Sequence, residues 1–277
     1  MTASLTDRAF PQALPGADML GDWAVFLDID GTLLDIAESP EAIRVPDGLS
    51  RDLAVLAEKL DGALVLVTGR SISFVDTIFP DTRFPVAGLH GAERRDAAGR
   101  VSRVEPTADF LRAKEELQKR AARWPHVIVE DKQAAIAVHY RQVPQFEKDM
   151  RRLMDEIAAI AGPGWTLQQG KMVVELRPAV HDKGHALETF MAIPPFVTRR
   201  PLAFGDDVTD EAMFKAANAR GGFSVRIGQE QVQEKCEAAF RPDLRENVEE
   251  KPTAATFYLR SPAILRAWLR KIARETL

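Results

Sequence analysis

Short apolar runs, each closed by a polar, glycine-containing loop, alternate with longer amphipathic stretches along the chain. Trp23–Leu27 (WAVFL) runs into Asp28-Ile29-Asp30-Gly31-Thr32, and Ala63–Val67 (ALVLV) into Thr68-Gly69-Arg70. Pro85–Ala87 leads to Gly88-Leu89-His90-Gly91-Ala92-Glu93, and Pro201–Phe204 (PLAF) to Gly205-Asp206-Asp207. Such runs read as buried parallel strands. Between the first two, Asp47–Leu60 places Leu49, Leu53, Leu56 and Leu60 at helical spacing. Strand, helix, strand is the βαβ signature of an α/β sheet, in which ligands gather beyond the carboxyl ends of the strands. Every polar loop just named falls at such an end.

The middle of the chain follows another pattern. Ala108–Trp124 predicts a helix with Leu111, Leu117 and Ala121 on its apolar face, and Val127–Glu130 and Ala134–Tyr140 predict a strand pair turning at Asp131–Gln133. Pro144–Ala161 predicts a second helix, and Trp165–Gln169 and Met172–Leu176 a second hairpin turning at Gly170–Lys171. Helix, two strands, helix, two strands is a small α+β module. The alternating pattern then returns with a helix over Lys183–Met191, the strand Pro201–Phe204, and helices over Asp210–Ala219 and Ser261–Thr276. The expected architecture is a Rossmann-like parallel-sheet α/β core, residues 1–105 and 179–277, carrying an inserted α+β cap at 106–178. Arg241–Thr253, charged and proline-containing, predicts a surface loop.

Composition narrows the classes. The 277 residues are 45% hydrophobic and 28% charged, with a formal net charge of −4. That balance offers no general attraction to nucleic acid or an anionic membrane. The single cysteine, Cys236, makes no internal disulfide and belongs to no zinc-type cluster, so it reads as a small helix residue. The N-terminus carries Asp7, Arg8 and two prolines where a signal peptide needs an unbroken apolar run, and no apolar run is long enough to span a bilayer. The expectation is a cytoplasmic monomer acting on a small-molecule substrate, with neither nucleic acid nor membrane as partner.

Asp28 and Asp30 carry the chemistry. A strand that buries WAVFL has no structural use for two carboxylates at its tip. Anions that close are reconciled by a shared proton or a metal ion, and without a His/Cys cluster the ion is a hard one such as Mg²⁺. An aspartate can attack phosphorus to give an aspartyl-phosphate, and a neighbour two residues on can protonate the leaving alcohol and later activate water. Asp206, Asp207, Asp210 and Glu211 form a second acidic cluster at another strand end. Helix-dipole complementation accounts for the last two but not for Asp206 and Asp207, which follow PLAFG directly. Thr68, Gly69 and Arg70 suit a phosphate cradle at a helix start, and Lys183 suits a neutralising cation.

These features occur in the order of the four motifs of the haloacid dehalogenase (HAD) superfamily of phosphohydrolases, which the chain resembles from about Trp23 to its last helix. DIDGT is similar to the first motif, Thr68 of TGR to the second, Lys183 to the third and GDDVTDE to the fourth. The insert, placed as a C2-type cap, carries Val129-Glu130-Asp131-Lys132, His139-Tyr140-Arg141 and Gly170-Lys171-Met172-Val173-Val174-Glu175-Leu176-Arg177-Pro178. With the Gly88–Glu93 stretch, this combination resembles the trehalose-6-phosphate phosphatase family. The resemblance implies hydrolysis of trehalose 6-phosphate, with Asp28 as nucleophile and Asp30 as general acid/base. It implies Mg²⁺ held by Asp28, the carbonyl of Asp30 and Asp206, with Asp207 or Asp210 orienting water ligands or Lys183. Thr68 and Arg70 would meet the phosphate, and Glu130, Arg141, Lys171 and Glu175 the sugar. Other sugar phosphates, such as sucrose phosphate or mannosyl-phosphoglycerate, a phosphosugar mutase and a non-catalytic sugar-phosphate-binding regulator are the alternatives. His139 is expected to be exposed on a strand face without a role, Trp23 and Phe204 to be core aromatics, and Arg151–Arg152 and Arg199–Arg200 to be solvated surface.

Overall fold

The computed structural model describes residues 21–36, 43–170, 172–228 and 254–275. The elements in chain order begin with β1 (Trp23–Leu27), α1 (Leu49–Lys59), β2 (Leu64–Val67), α2 (Ile72–Ile78) and β3 (Val86–Gly88). There follow β4 (Glu93–Arg95), β5 (Val101–Arg103), α3 (Ala108–Ala121), β6 (Ile128–Asp131), β7 (Ile136–His139) and α4 (Glu147–Ala161). Then come β8 (Trp165–Gly170), β9 (Val173–Pro178), α5 (Lys183–Met191), β10 (Arg200–Gly205), α6 (Glu211–Ala219) and β11 (Phe223–Ile227). β12 (Phe257–Leu259) and α7 (Pro262–Arg274) complete the order.

Eight strands form one sheet in the order β12-β11-β10-β1-β2-β3-β4-β5. The six from β12 to β3 are parallel, and β4 and β5 add an antiparallel edge. All five residues of β1 and all four of β2 are buried, as strands covered on both faces must be. α1 packs on α7, and α5 on α6. A large apolar cluster joins these helices to the sheet, with Phe26, Phe190, Phe196, Phe204 and Phe214 fully covered. Trp23 and Phe204 belong to it as expected.

The second sheet is antiparallel, in the order β6-β7-β9-β8. α3 packs on α4, and α4 lies against β8 and β9. Phe110, Leu117, Tyr140, Met150, Ile157 and Leu176 form a separate core, and Phe110 stacks on Trp165. The two sheets thus realise the expected mixed architecture: a mostly parallel α/β layer and a separate α+β layer.

Some expectations need correction. In α3, Leu111 is exposed while Phe110 and Ala113 are buried beside Leu117, so the apolar face is rotated from the expected one. The same helix ends at Ala121 rather than Trp124. Arg199 and Arg200 are not simply solvated. Arg199 donates to the carbonyls of Trp23 and Pro195 and to Asp61, and Arg200 lies over the Trp23 ring. Cys236, Arg241–Thr253 and Lys171 lie outside the described residues.

Candidate active site

Four neighbouring parallel strands, β10, β1, β2 and β3, end on the same side and release the polar loops together. The ladder continues into those loops. The Asp28 N–H donates to the Phe204 carbonyl at 3.0 Å, and the Thr68 N–H to the Ala87 carbonyl at 2.9 Å. Asp28, 3% exposed, therefore stands beside the acidic loop that follows β10.

Lys183, the first residue of α5, closes the cluster. Its Nζ donates to Asp28 Oδ1 at 2.8 Å and to Asp210 Oδ1 at 2.7 Å, and all three side chains are buried. Asp182 caps that helix by accepting from the His185 N–H, which fixes where the lysine begins. Thr32 Oγ1 donates to the other oxygen of Asp28 at 3.1 Å. Asp210 Oδ2 accepts the backbone N–H groups of Asp206 and Asp207, each at 3.0 Å. Both oxygens of Asp210 are thereby used inside the protein. Asp210, and not Asp207, meets Lys183; Asp207 is exposed and accepts from the Thr209 N–H as a helix cap. Gly31, at φ +83°, lets the first loop press against Asp206, for a Cβ there would stand far inside contact distance of Asp206 Oδ2.

Carboxylate oxygens of Asp28, Asp206 and Asp210 all lie within 4.8 Å of one another. One ammonium does not balance three carboxylates. Burial, then Asp210, pushes Asp206 up to about 7. Burial raises Asp28 well above the usual carboxylate range; Lys183 opposes this, and Asp210 and Asp206 add to it. For Lys183 burial works to lower the pKa, but Asp210 and Asp28 outweigh it and raise it. This is an excess of hard oxygen donors and negative charge, the chemistry that a divalent cation such as Mg²⁺ satisfies. The Asp30 carbonyl receives no backbone N–H among the described residues, so it too is available as a donor.

Asp30 itself turns the other way. Its carboxylate receives Nε and Nη2 of Arg70, each at 3.0 Å. Burial works against the Arg70 charge, and pairing with Asp30, aided by Glu130 and Asp28, raises its pKa in spite of that. Thr68, fully buried, accepts the Arg70 N–H through Oγ1 at 3.0 Å. Its own hydroxyl proton has no protein acceptor among the described residues.

The second sheet presents a complementary polar group. Glu175 on β9 is buried, and Lys132 Nζ reaches its Oε1 at 3.3 Å and Glu130 Oε2 at 3.8 Å. His139 is not idle: its Nε2 lies 2.8 Å from Glu130 Oε2, and that bond is the leading cause of the lowered Glu130 pKa. Arg141 follows β7 and is exposed. A cavity of about 200 Å³ lined by Ala92, Arg94, Arg103, His181 and His185 includes none of these carboxylates.

Thr32, Lys132 and His139 were missed as participants by sequence reasoning. Thr32 lies four residues after Asp28, and Lys132 two after Glu130. Those spacings were the available signal, and only the fold turns them into contacts.

The fold, a mostly parallel sheet with a separate antiparallel one, is that of phosphatases of the haloacid dehalogenase superfamily. The family model described as trehalose-phosphatase matches residues 26–259, and the chain belongs to that family. It is 54% identical over 209 residues to a probable trehalose-phosphate phosphatase of Sinorhizobium fredii (strain NBRC 101917 / NGR234), covering 76% of this chain and 79% of the relative. It is 41% identical over 228 residues to the trehalose-6-phosphate phosphatase of Escherichia coli (strain K12), covering 82% and 85%. Among solved structures, a trehalose-6-phosphate phosphatase related protein superposes with a TM-score of 0.68 at 26% identity, covering 90% of this chain and 96% of that one. The protein is an enzyme, a phosphoric monoester hydrolase. Among the described residues no helix is long and apolar enough to cross a membrane.

Proposed function

We propose that this enzyme hydrolyses trehalose 6-phosphate to trehalose and inorganic phosphate through an aspartyl-phosphate on Asp28. The observation that carries the reading is the buried bridge of Lys183 between Asp28 and Asp210, with Asp206 beside it. Lys183 favours the ionised form of Asp28, orients it and offsets part of its charge, so one oxygen can attack phosphorus while the phosphoryl group's charge is offset. As the Asp28–phosphorus bond forms, the bond from phosphorus to the sugar oxygen breaks. Asp30 gives its proton to that departing oxygen. Asp30 then takes a proton from water, which attacks the same phosphorus and frees Asp28 and inorganic phosphate. In the present arrangement Asp30 is engaged by Arg70. A phosphate oxygen offers Arg70 a competing anion, so binding of substrate would release Asp30 for its role. The Thr68 hydroxyl proton supplies a further donor to phosphate.

Mg²⁺ suits the donor set: Asp28, Asp206 and the Asp30 carbonyl would hold it, with Asp210 fixing the backbone of Asp206 and Asp207. Its chemistry there is neutralisation of the phosphoryl oxygens. Residues 106–178 act as the cap, with Glu130, Lys132, Glu175, Arg141 and Lys171 reading sugar hydroxyls as hydrogen-bond acceptors and donors. Cap movement over the strand ends would exclude bulk water.

The test is phosphate release with Mg²⁺ or with chelator, across trehalose 6-phosphate, sucrose phosphate, hexose 6-phosphates and a small aryl phosphate. Trehalose 6-phosphate is expected to be turned over best, and only with the metal. Preference for another sugar phosphate would overturn the substrate assignment. Isomerised sugar phosphate without free phosphate would point to a mutase.

A further inference from the structure

His90 takes no part in the chemistry above, yet its backbone is held in an unusual way. Leu89 and His90 are consecutive non-glycine residues with φ of +49° and +56°, a conformation that costs each of them energy. Two hydrogen bonds to the phosphate-side loop hold them there: Leu89 N–H to the Arg70 carbonyl at 2.9 Å, and His90 N–H to the Thr68 carbonyl at 3.0 Å. The effect is to lay the imidazole over Gly69, where a Cβ would stand 2.8 Å from Nε2. Glycine at 69 is thus what makes room for the ring. From this place Nε2 lies 3.9 Å from Glu175 Oε2, and both side chains are buried. The two oxygens of Glu175 are divided between layers. Lys132 approaches Oε1 from the second sheet, and His90 faces Oε2 from the first. A carboxylate only accepts, so a hydrogen bond between the two needs the proton on Nε2. Burial, then Lys183, Arg177 and Lys132, keeps His90 well below its ordinary pKa, which favours the neutral ring.

We propose that His90 is a positioning residue: it offers Nε2–H to Glu175 from the core side and so fixes the sugar-facing carboxylate in register with the Thr68–Arg70 phosphate loop. The proposal rests on the sugar-phosphate reading of this site and deepens it. Closing 3.9 Å to hydrogen-bond distance needs an approach of about 1 Å, the scale of a small shift of one layer on the other. Specificity for the sugar therefore depends on a donor at the Nε2 position in particular, and not only on a filled pocket.

Two variants separate these roles. Asparagine tolerates the left-handed backbone but is too short to place a donor where Nε2 stands, whereas the longer glutamine can reach it. His90→Asn is expected to lower kcat/KM for trehalose 6-phosphate by about tenfold more than for a small aryl phosphate, the effect of one lost hydrogen bond to a charged group. Most of that loss should be in KM. His90→Gln should recover most of it. In a cycle with Glu175→Ala, the His90→Asn loss should largely disappear, because its target is gone. Equal losses on both substrates, no recovery with glutamine, or full additivity with Glu175→Ala would each overturn the proposal. Because the cycle compares ratios, it still decides if His90→Gln folds poorly. Failure of the substrate reading is visible separately, as wild-type enzyme that releases no phosphate from trehalose 6-phosphate. The same ratios are then read on whichever sugar phosphate the panel favours.

Discussion

Replacing the nucleophile is expected to destroy activity while leaving the protein as stable or more so. Asp28 sits within 4.8 Å of oxygens of Asp206 and Asp210, and 2.8 Å from the Lys183 ammonium. At an effective dielectric near 20, each repulsion is worth about 3.5 kcal/mol or more and the attraction about 6 kcal/mol. The charge on Asp28 is therefore close to neutral in its pairwise energies, before the several kcal/mol that desolvating a buried ion costs. In Asp28→Asn the amide oxygen still accepts from Lys183 or Thr32, and Lys183 keeps Asp210. A gain of about 1–2 kcal/mol follows for the metal-free protein, roughly 2–6 °C in melting temperature. Turnover should fall by about 10⁴ or more, because no other described side chain stands where Asp28 does. The assay is a thermal melt in chelator at pH 7.5, paired with phosphate release in Mg²⁺. A melting temperature lowered by more than a few degrees would refute the charge balance. Residual turnover of several per cent would refute the nucleophile.

Lys183→Met should do the reverse to stability. It leaves Asp28 and Asp210 buried without their cation, at about 3–5 kcal/mol, readable as a lowered denaturation midpoint; an unchanged midpoint would contradict the bridge. Asp206, pushed up to about 7 chiefly by burial, favours the folded state below the ordinary carboxylate range near 4, and that contribution is lost as pH rises through about 7. The metal-free protein should thus melt lower at pH 8 than at pH 6 on this account. Mg²⁺ should raise the melting temperature more at pH 8, with proton release on binding measurable by calorimetry in buffers of different ionisation enthalpy. A metal response independent of pH would refute the assignment of Asp206 as a ligand. Gly31→Ala, in a left-handed turn pressed against Asp206, should weaken Mg²⁺ binding and cost about 1–2 kcal/mol, checked by metal titration and melting. Glu175→Ala should harm trehalose 6-phosphate turnover at least about tenfold more than turnover of an aryl phosphate, and equal losses would argue against a sugar-reading role.

Much of the fold was legible because burial on both faces leaves a plain mark. WAVFL and ALVLV could be little else than central strands, and the helix expected over Lys183–Met191 has those bounds. The antiparallel edge, β4 and β5, was not foreseen: each is three residues long, and ERR and VSR carry no apolar period to read. β11 was missed for a related reason, being brief and flanked by strong loop signals, while α2 was expected only as a helix start after Thr68–Arg70. On α3, Leu111 and Phe110 are both apolar, and only packing against α4 decides which of them faces inward.

The same division runs through the site. From sequence alone follow the acids closing buried strands, the hydroxyl after β2 and the lysine opening α5. Each is a local misfit between an apolar run and the charge that ends it, and local misfits are visible in one dimension. Tertiary structure alone decides that Lys183 bridges Asp28 across 155 residues and takes Asp210 rather than Asp207. It alone turns Asp30 onto Arg70, joins Lys132 to Glu175 and lays His90 over Gly69. These pairings depend on β10 and β2 flanking β1 in one sheet and on β7 lying between β6 and β9 in the other. Strand order is set by the burial of whole faces, so it leaves no trace in the spacing of the charged residues it brings together.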